Sequence, residues 1–187
     1  MKLKALLLFF LLSGFLHAQN FEWTLGLADN KKGVTLDFSR PLSLERGDTI
    51  SIYIQSAVDC WLYIIAQDPN RDVAVFQSGQ IKADEAFRTN PIQLLDSNGQ
   101  DTIHIIVSRE QEKILEARID AFKKENAFRN GRNIINAALD LRRNILNLAE
   151  APERPVQIGG AFRGFEDPQG LCYSGAEKYF KSILINH

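Results

Sequence analysis

The alternation of apolar and polar residues in the first half of the chain predicts a series of β-strands. Ile50, Ile52 and Ile54 alternate with polar neighbours, which is the period-two pattern of a strand with one buried face. Residues 60–66 are apolar on both faces and rich in aromatic and β-branched side chains. That composition is typical of a central strand that is covered on both sides.

Turn residues and short apolar runs continue this pattern as far as residue 107. The turn chemistry at 68–72 and the apolar run at 73–76 predict a hairpin. Residues 79–91 are polar, and we expect irregular structure there. Residues 102–107 predict another strand, in which the odd-numbered apolar residues share one face.

The period of the pattern then changes to that of α-helices. Ser108 and Gln111 have the spacing of a capping box, and Ile114 or Leu115 begins an apolar stripe. The pair Asn130-Gly131 predicts an interruption before a second helix. The stripe of the second helix is Ile134, Ala138, Leu141, Ile145 and Leu148. We interpret this stripe as a face that packs on the neighbouring helix or on a sheet, with a partner-binding seam as the alternative.

The C-terminal part of the chain returns to strand patterns. Residues 156–158 and 179–185 predict extended segments on either side of a glycine-rich loop. The predicted fold is therefore mainly β with α: one β-sandwich-like domain over residues 19–187. A helical hairpin at 110–150 interrupts it, and C-terminal strands close it.

Residues 1–18 have the pattern of an export signal. Lys2 and Lys4 precede a short apolar run, and Ala18 provides a small residue at the expected cleavage point. The run is about a dozen residues long, whereas a membrane-spanning helix needs about 20. We expect the mature protein to begin near Gln19 and to be periplasmic or extracellular in a bacterium. No membrane span is expected after the signal is removed.

Charge and cysteine content narrow the function classes. Removing the leader leaves 20 basic against 23 acidic side chains, a formal charge of −3, so nucleic acid is not an expected partner. Cys60 and Cys172 both remain in the exported chain, which makes a disulfide a candidate. Such a bond would contribute about 4–5 kcal/mol in the chain-entropy model. The alternative is a pair of buried free thiols.

Residues for catalysis or metal binding are sparse. His104 and His187 are the histidines that remain after cleavage, too few for a zinc site, so neither a metal nor a cofactor is predicted. A Cys60–His104 nucleophilic pair is conceivable, but Cys60 begins an apolar strand rather than a polarised loop. A carboxylate-based hydrolase remains an alternative, with these candidate acids: Asp68, Asp72, Glu166 and Asp167.

Two regions are candidate interaction surfaces. In the loop at 159–165, Phe162 and Phe165 flank Arg163, an arrangement suited to a binding edge if the rings are exposed. The alternative is that both rings belong to the core. Arg142 and Arg143 lie on the second predicted helix, where they mark a solvated face or a polar docking surface.

Several segments between residues 44 and 108 resemble the bacterial domain of unknown function 4384 family. These are the Gly47-Asp48 turn, the strand Trp61-Leu62-Tyr63, the Asp68-Pro69 turn, residues 73–76, and the strand that ends at Ser108. Cys60 replaces the family's usual small residue, and Gln77-Ser78 replaces its frequent Pro-Asn. The resemblance covers about a third of the chain and implies a small β-rich accessory domain without catalytic activity.

These observations together predict an exported, non-enzymatic accessory or binding protein of the bacterial envelope. Its expected partner is another envelope or exported protein, bound through an exposed sheet edge or the helical excursion. Two alternatives stay open: the carboxylate-based hydrolase and a structural envelope component that self-assembles.

Overall fold

The chain forms two β-sheets and a pair of helices in the computed structural model, which describes residues 21–45, 47–93, 99–145, 154–158, 169–174 and 177–186. The predicted leader at 1–18 lies outside these residues. The strands in chain order are β1 Glu22–Asp29, β2 Val34–Thr35, β3 Leu42–Ser43, β4 Thr49–Ser56, β5 Cys60–Gln67, β6 Val73–Ile81, β7 Ala86–Arg88, β8 Ile92–Gln93, β9 Gln100–Ser108, β10 Arg154–Gln157, β11 Gln169–Ser174 and β12 Lys178–Asn186. The helices are α1 Lys113–Lys124 and α2 Phe128–Ile145.

The first sheet has the order β10-β11-β1-β4-β7, with β2 beside β1 and β8 beside β4. The second sheet has the order β3-β12-β9-β5-β6. The pairing is antiparallel throughout, except that β3 runs parallel to β12. The C-terminal strands thus complete both sheets, which confirms a mainly β fold closed by C-terminal strands.

The main hydrophobic core lies between the sheets. Leu25 and Ile52 of the first sheet and Leu62, Ile105 and Ile183 of the second sheet belong to one buried cluster. Each of these side chains is at most 1% exposed. The alternating isoleucines of β4 and the odd-numbered residues of β9 point into this core, as their period-two patterns predict.

Strand β5 contributes to two cores, which explains why both of its faces are apolar. Leu62 and Ile64 pack between the sheets, whereas Tyr63 and Ile65 pack on the opposite face against the helices. The molecule therefore has three layers: the first sheet, the second sheet and the helical hairpin. The prediction of a strand covered on both sides is confirmed.

The hairpin is present, but its boundaries differ from the predicted ones. Helix α1 begins after Glu112, and the Ser108 hydroxyl donates to the Glu112 carboxylate instead of capping the helix. The break between the helices falls at 125–127, and Gly131 lies inside α2. A Cβ atom at Gly131 would be 3.2 Å from Val73 of β6, so this glycine permits close packing of helix on sheet.

The expectation of irregular structure over 79–91 is wrong for part of that range. Strand β6 continues to Ile81, and Ala86–Arg88 forms β7 beside β4. The pairing of β5 with β6 shifts register between Ile64 and Ile65, and Gly79 has a φ of 148°. Because β6 is a bulged edge strand with polar side chains, its sequence has no clear two-residue period, and the pattern does not predict its full length.

Candidate interaction groove on the helical hairpin

The hairpin is held on the second sheet by a second apolar core. Tyr63, Ile65 and Ile106 form the sheet side of this core. The helices contribute Leu115, Ile119, Ile134, Ile135 and Ala138. Ile134 and Ala138 of the predicted helical stripe are therefore packing residues, and Leu141 packs against the edge of this core, whereas Leu148 lies outside the described residues. The helices cover a sheet surface that would otherwise be exposed to water.

A polar cluster fixes the beginning of α1 to the sheet. The buried Tyr63 hydroxyl donates to Glu116 at 3.0 Å and accepts the Glu112 N–H at 3.0 Å. The Glu112 carboxylate accepts from Ser108 at 3.0 Å and pairs with the Lys178 ammonium at 2.9 Å. Burial raises the pKa of Tyr63 well above its usual value, so the hydroxyl keeps its proton. The hairpin is thus anchored by charged hydrogen bonds as well as by apolar packing.

A groove of about 330 Å³ runs between the outer faces of the two helices. Its apolar part is formed by Ile114 and Leu115 of α1 and by Ala137 and Leu141 of α2. Ile114 is 73% exposed, the highest value among the large hydrophobic residues that the structure describes as exposed. An exposed apolar residue at the edge of a groove provides contact area for a partner.

Carboxamides and charged groups line the rest of the groove. They are Arg118 from α1 and Asn133, Asn136, Asp140 and Asn144 from α2. Each carboxamide offers both a hydrogen-bond donor and an acceptor. None of the residues lining this groove is aromatic. The groove is therefore suited to a ligand with alternating donors and acceptors rather than to one recognised by ring stacking.

The hairpin is basic although the chain as a whole is not. Helices α1 and α2 carry eight lysine and arginine side chains against three aspartate and glutamate side chains. All eight basic residues are exposed. Since the chain has a formal charge of −1, the residues outside the two helices carry a net negative charge. Positive charge is thus concentrated on the layer that contains the groove.

The predicted surface residues Arg142 and Arg143 lie on α2 next to this groove. The Arg142 guanidinium lies 5.8 Å from the centroid of the Phe180 ring, a cation–π contact with the second sheet. Arg143 pairs with the groove residue Asp140 at 3.0 Å. The other predicted surface residues, Phe162, Arg163 and Phe165, lie outside the described residues.

Cys60 and Cys172 are both buried, and neither is part of a disulfide in the structure. Cys60 belongs to the core between the sheets. Cys172 lies on β11 between Leu171 and Tyr173, which both pack toward that core, so its own side chain points to the opposite face of the first sheet. There the thiol donates to the Glu22 carboxylate at 3.0 Å.

The conceivable Cys60–His104 pair is not brought together. His104 follows Ile103 and precedes Ile105, which both face the core, so it faces the helices while Cys60 faces the first sheet. Burial raises the pKa of the Cys60 thiol, which disfavours a nucleophilic thiolate. His104 Nδ1 lies 3.0 Å from the Ser182 hydroxyl, and burial together with Arg142 lowers the His104 pKa to about 4.

Two of the four candidate acids of a hydrolase lie among the described residues, and both belong to one turn. Asp68 and Asp72 close the turn between β5 and β6, where the Asp72 N–H donates to the Asp68 carboxylate at 2.7 Å. This is the backbone role that aspartate takes in turns. Glu166 and Asp167 lie outside the described residues. Within the parts of the chain that the structure describes, no group of histidine, cysteine and acidic residues could hold a metal ion.

The β6 edge of the second sheet is a weaker candidate surface than the groove. Strand β6 forms this edge, and Phe76 on it is 38% exposed. The register shift against β5 interrupts the row of backbone groups that an added strand would need. We therefore consider the groove to be the principal candidate site.

Comparisons with known proteins identify no relative. No family model matches the chain, and neither a curated protein nor a solved structure is significantly similar to it. Among the described residues, no helix combines the length and the apolar composition that crossing a membrane requires.

Proposed function

We propose that the protein is an exported, non-enzymatic binding protein of the bacterial envelope, which uses the groove between α1 and α2 to dock another envelope or exported protein. The observation that carries this proposal is the groove itself, with Ile114 73% exposed at its edge. The apolar faces that the helices need for folding are already buried on the second sheet. The exposed Ile114 is thus available to a partner without any change to the core.

The leader pattern supports the exported part of this proposal. A charged start, a short apolar run and a small residue before Gln19 are the features of a cleaved export signal. The resemblance to the domain of unknown function 4384 family supports an accessory role without catalysis. Mass spectrometry of the protein from a cell-envelope fraction should find an N-terminus near Gln19. An intact Met1 in that fraction would contradict export by cleavage.

Site-specific photo-crosslinking tests the docking part. We expect a crosslinker at position 114 to form an adduct with another envelope protein in cells. A crosslinker at position 34 is the matched control, because Val34 is also exposed, at 46%, but lies on the first sheet. Adducts from both positions, or from neither, would contradict docking at the groove.

Once that partner is purified, the affinity of two point variants gives a quantitative test. Burying an isoleucine side chain contributes about 1.5–3 kcal/mol, so Ile114→Ser should weaken binding about tenfold or more. Val34→Ser should leave the affinity unchanged. Removing the whole hairpin is a poor test, because it would expose Tyr63, Ile65 and Ile106 to water. An adduct between two copies of this chain would support the self-assembling alternative instead.

A further inference from the structure

The chemistry of the groove indicates which kind of polypeptide it binds, an inference that rests on the proposed docking function. Asn136 and Asn144 both line the groove and are eight residues apart on α2. Eight helical residues rise about 12 Å. Four residues of extended chain cover about 13 Å. Eight residues at 3.6 per turn also place the two side chains about 80° apart around the helix axis. An extended segment that crosses α2 obliquely can therefore reach both carboxamides.

Carboxamides suit the polypeptide backbone because they reproduce its own donor and acceptor groups. One Asn side chain can accept from a backbone N–H and donate to a backbone C=O at the same time. This is the pairing that an extended segment makes when it joins a sheet. A partner helix satisfies its own backbone groups internally, so it would leave these carboxamides without backbone partners.

The positive charge of the hairpin favours acidic extended segments over basic ones. Arg118 lines the groove, is exposed, and forms no ion pair with any residue that the structure describes. Arg142 and Lys113 are exposed on the same two helices. A guanidinium with free donors pairs best with a carboxylate, often in a bidentate manner. Asp140 also lines the groove, but Arg143 pairs with it at 3.0 Å, so Arg118 is the lining charge without an ion pair among the described residues. An acidic segment would therefore complement the groove better than a basic one.

We propose that the groove between α1 and α2 binds an extended, acidic polypeptide segment of the partner protein. Asn133, Asn136 and Asn144 pair with its backbone, and Arg118 pairs with an acidic side chain. Ile114 and Leu141 contact its small apolar side chains.

The test uses the full mature protein and a synthetic 12-residue peptide of alternating glutamate and alanine. We expect this peptide to bind in a fluorescence-anisotropy titration, at least tenfold more tightly than the alternating lysine–alanine peptide. Methylating the peptide nitrogen atoms at alternate residues removes donors on one edge. That change should weaken binding at least fivefold, and no effect of methylation would overturn backbone pairing.

Two matched charge-reversal variants distinguish binding in the groove from general electrostatic attraction to a basic surface. Arg118→Glu should weaken binding at least tenfold, and Asn136→Leu about fivefold. Lys124→Glu makes the same change of charge on the same hairpin, at an exposed residue that does not line the groove. It should have an effect of less than threefold. Equal effects of Arg118→Glu and Lys124→Glu would overturn the inference.

An anionic membrane surface is the competing ligand for a basic hairpin with an exposed isoleucine. Vesicles containing one third phosphatidylglycerol should bind the protein too weakly to displace the peptide. Displacement by these vesicles would overturn the inference. If position 114 crosslinks to a partner while the acidic peptide fails to bind, the inference fails and the docking function stands. If the peptide binds as expected but no adduct forms in cells, the docking function fails instead.

Discussion

The hydroxyl of Tyr63 in β5 donates a 3.0 Å hydrogen bond to the carboxylate of Glu116 in α1, which links the centre of the second sheet to the hairpin that lies on it. The same hydroxyl accepts the N–H of Glu112, the residue immediately before α1. One buried group therefore positions the first turn of the helix. The outward side of that turn provides Ile114 to the groove, so the anchor and the groove belong to the same element.

Removing this hydroxyl should destabilise the fold. Tyr63 is fully buried, so Tyr63→Phe leaves the Glu112 N–H without its acceptor. We expect a loss of about 1–3 kcal/mol in the free energy of unfolding, measured by urea denaturation. Ser78→Ala is the contrasting variant, because the bond that it removes, from Lys123 to Ser78, is exposed. It should cost less than about 0.5 kcal/mol. Similar losses for both variants would contradict an anchoring role for Tyr63.

Truncating two neighbouring residues at the beginning of α1 should change the stability of the fold by very different amounts. Leu115 is fully buried in the core beneath the helices, whereas Ile114 is 73% exposed. Leu115→Ala should cost about 2–5 kcal/mol in stability. Ile114→Ala should stay within about 0.5 kcal/mol. Thermal and urea unfolding measure both, and a large loss for Ile114→Ala would contradict the orientation of the helix.

The sequence alone does not predict which of these two residues is buried. A helical period identifies a stripe but leaves two adjacent apolar residues equivalent, so the sequence predicts Ile114 or Leu115 without choosing. The packing of strand β5, by contrast, can be predicted from the sequence, because apolar residues on both faces require two covering layers. The pair Asn130-Gly131 predicts an interruption between the helices, whereas the structure places Gly131 inside α2. Its contact with Val73 is a tertiary feature that the local sequence does not show.

The groove could be predicted only in part. Arg142, Arg143 and the asparagines of α2 indicate a polar surface on a helix, and that surface is present. Arg118 and Ile114 reach the groove because α1 packs antiparallel to α2, and that pairing depends on contacts made after folding. The sequence itself contains this concentration of basic residues between 113 and 143, but the net charge of the whole chain does not show it.

Stability should fall as the pH drops from 7 to 5 because of His104. Its pKa is about 4 in the folded protein and 6.5 in the reference state, since burial and Arg142 disfavour the charged ring. The unfolded chain therefore binds the proton first, so stability is retained above pH 6.5 and is lost as the pH falls toward 4. We expect a loss of about 2 kcal/mol between pH 7 and 5.

A variant without the titrating ring isolates this effect. His104→Gln keeps a group that can bond to the Ser182 hydroxyl, and its stability should change little between pH 7 and 5. Carboxylates with lowered pKa values, such as Asp48 beside Lys31, titrate at lower pH and do not contribute to this window. Urea denaturation at several pH values provides the measurement. Equal pH slopes in the two proteins would exclude His104 as the cause.

Gly170 should be intolerant of any side chain. A Cβ atom at this position of β11 would lie 2.8 Å from the backbone oxygen of Leu25, which the sheet holds in place. Gly170→Ala should therefore cost about 1–3 kcal/mol. Gly33→Asn is the contrasting variant, because Gly33 has a φ of 67° and open space around it, and asparagine tolerates this conformation. A smaller loss for Gly170→Ala than for Gly33→Asn in urea denaturation would contradict the close contact at β11.

The two cysteines should remain reduced even under oxidising conditions. Thr24 pairs with Cys172, while its neighbours Trp23 and Leu25 face the core, so the Cys172 side chain points away from the core that contains Cys60. Turning Cys172 inward would require a one-residue slip of β11, which would move Tyr173 and Leu171 out of the core. That rearrangement would also break the pairing of β11 with β1 and β10, so a disulfide could form only by disrupting the first sheet. Alkylation of the denatured protein should therefore label both thiols, and a reducing agent should leave the melting temperature unchanged. An unlabelled pair whose reduction lowers the melting temperature would contradict this register.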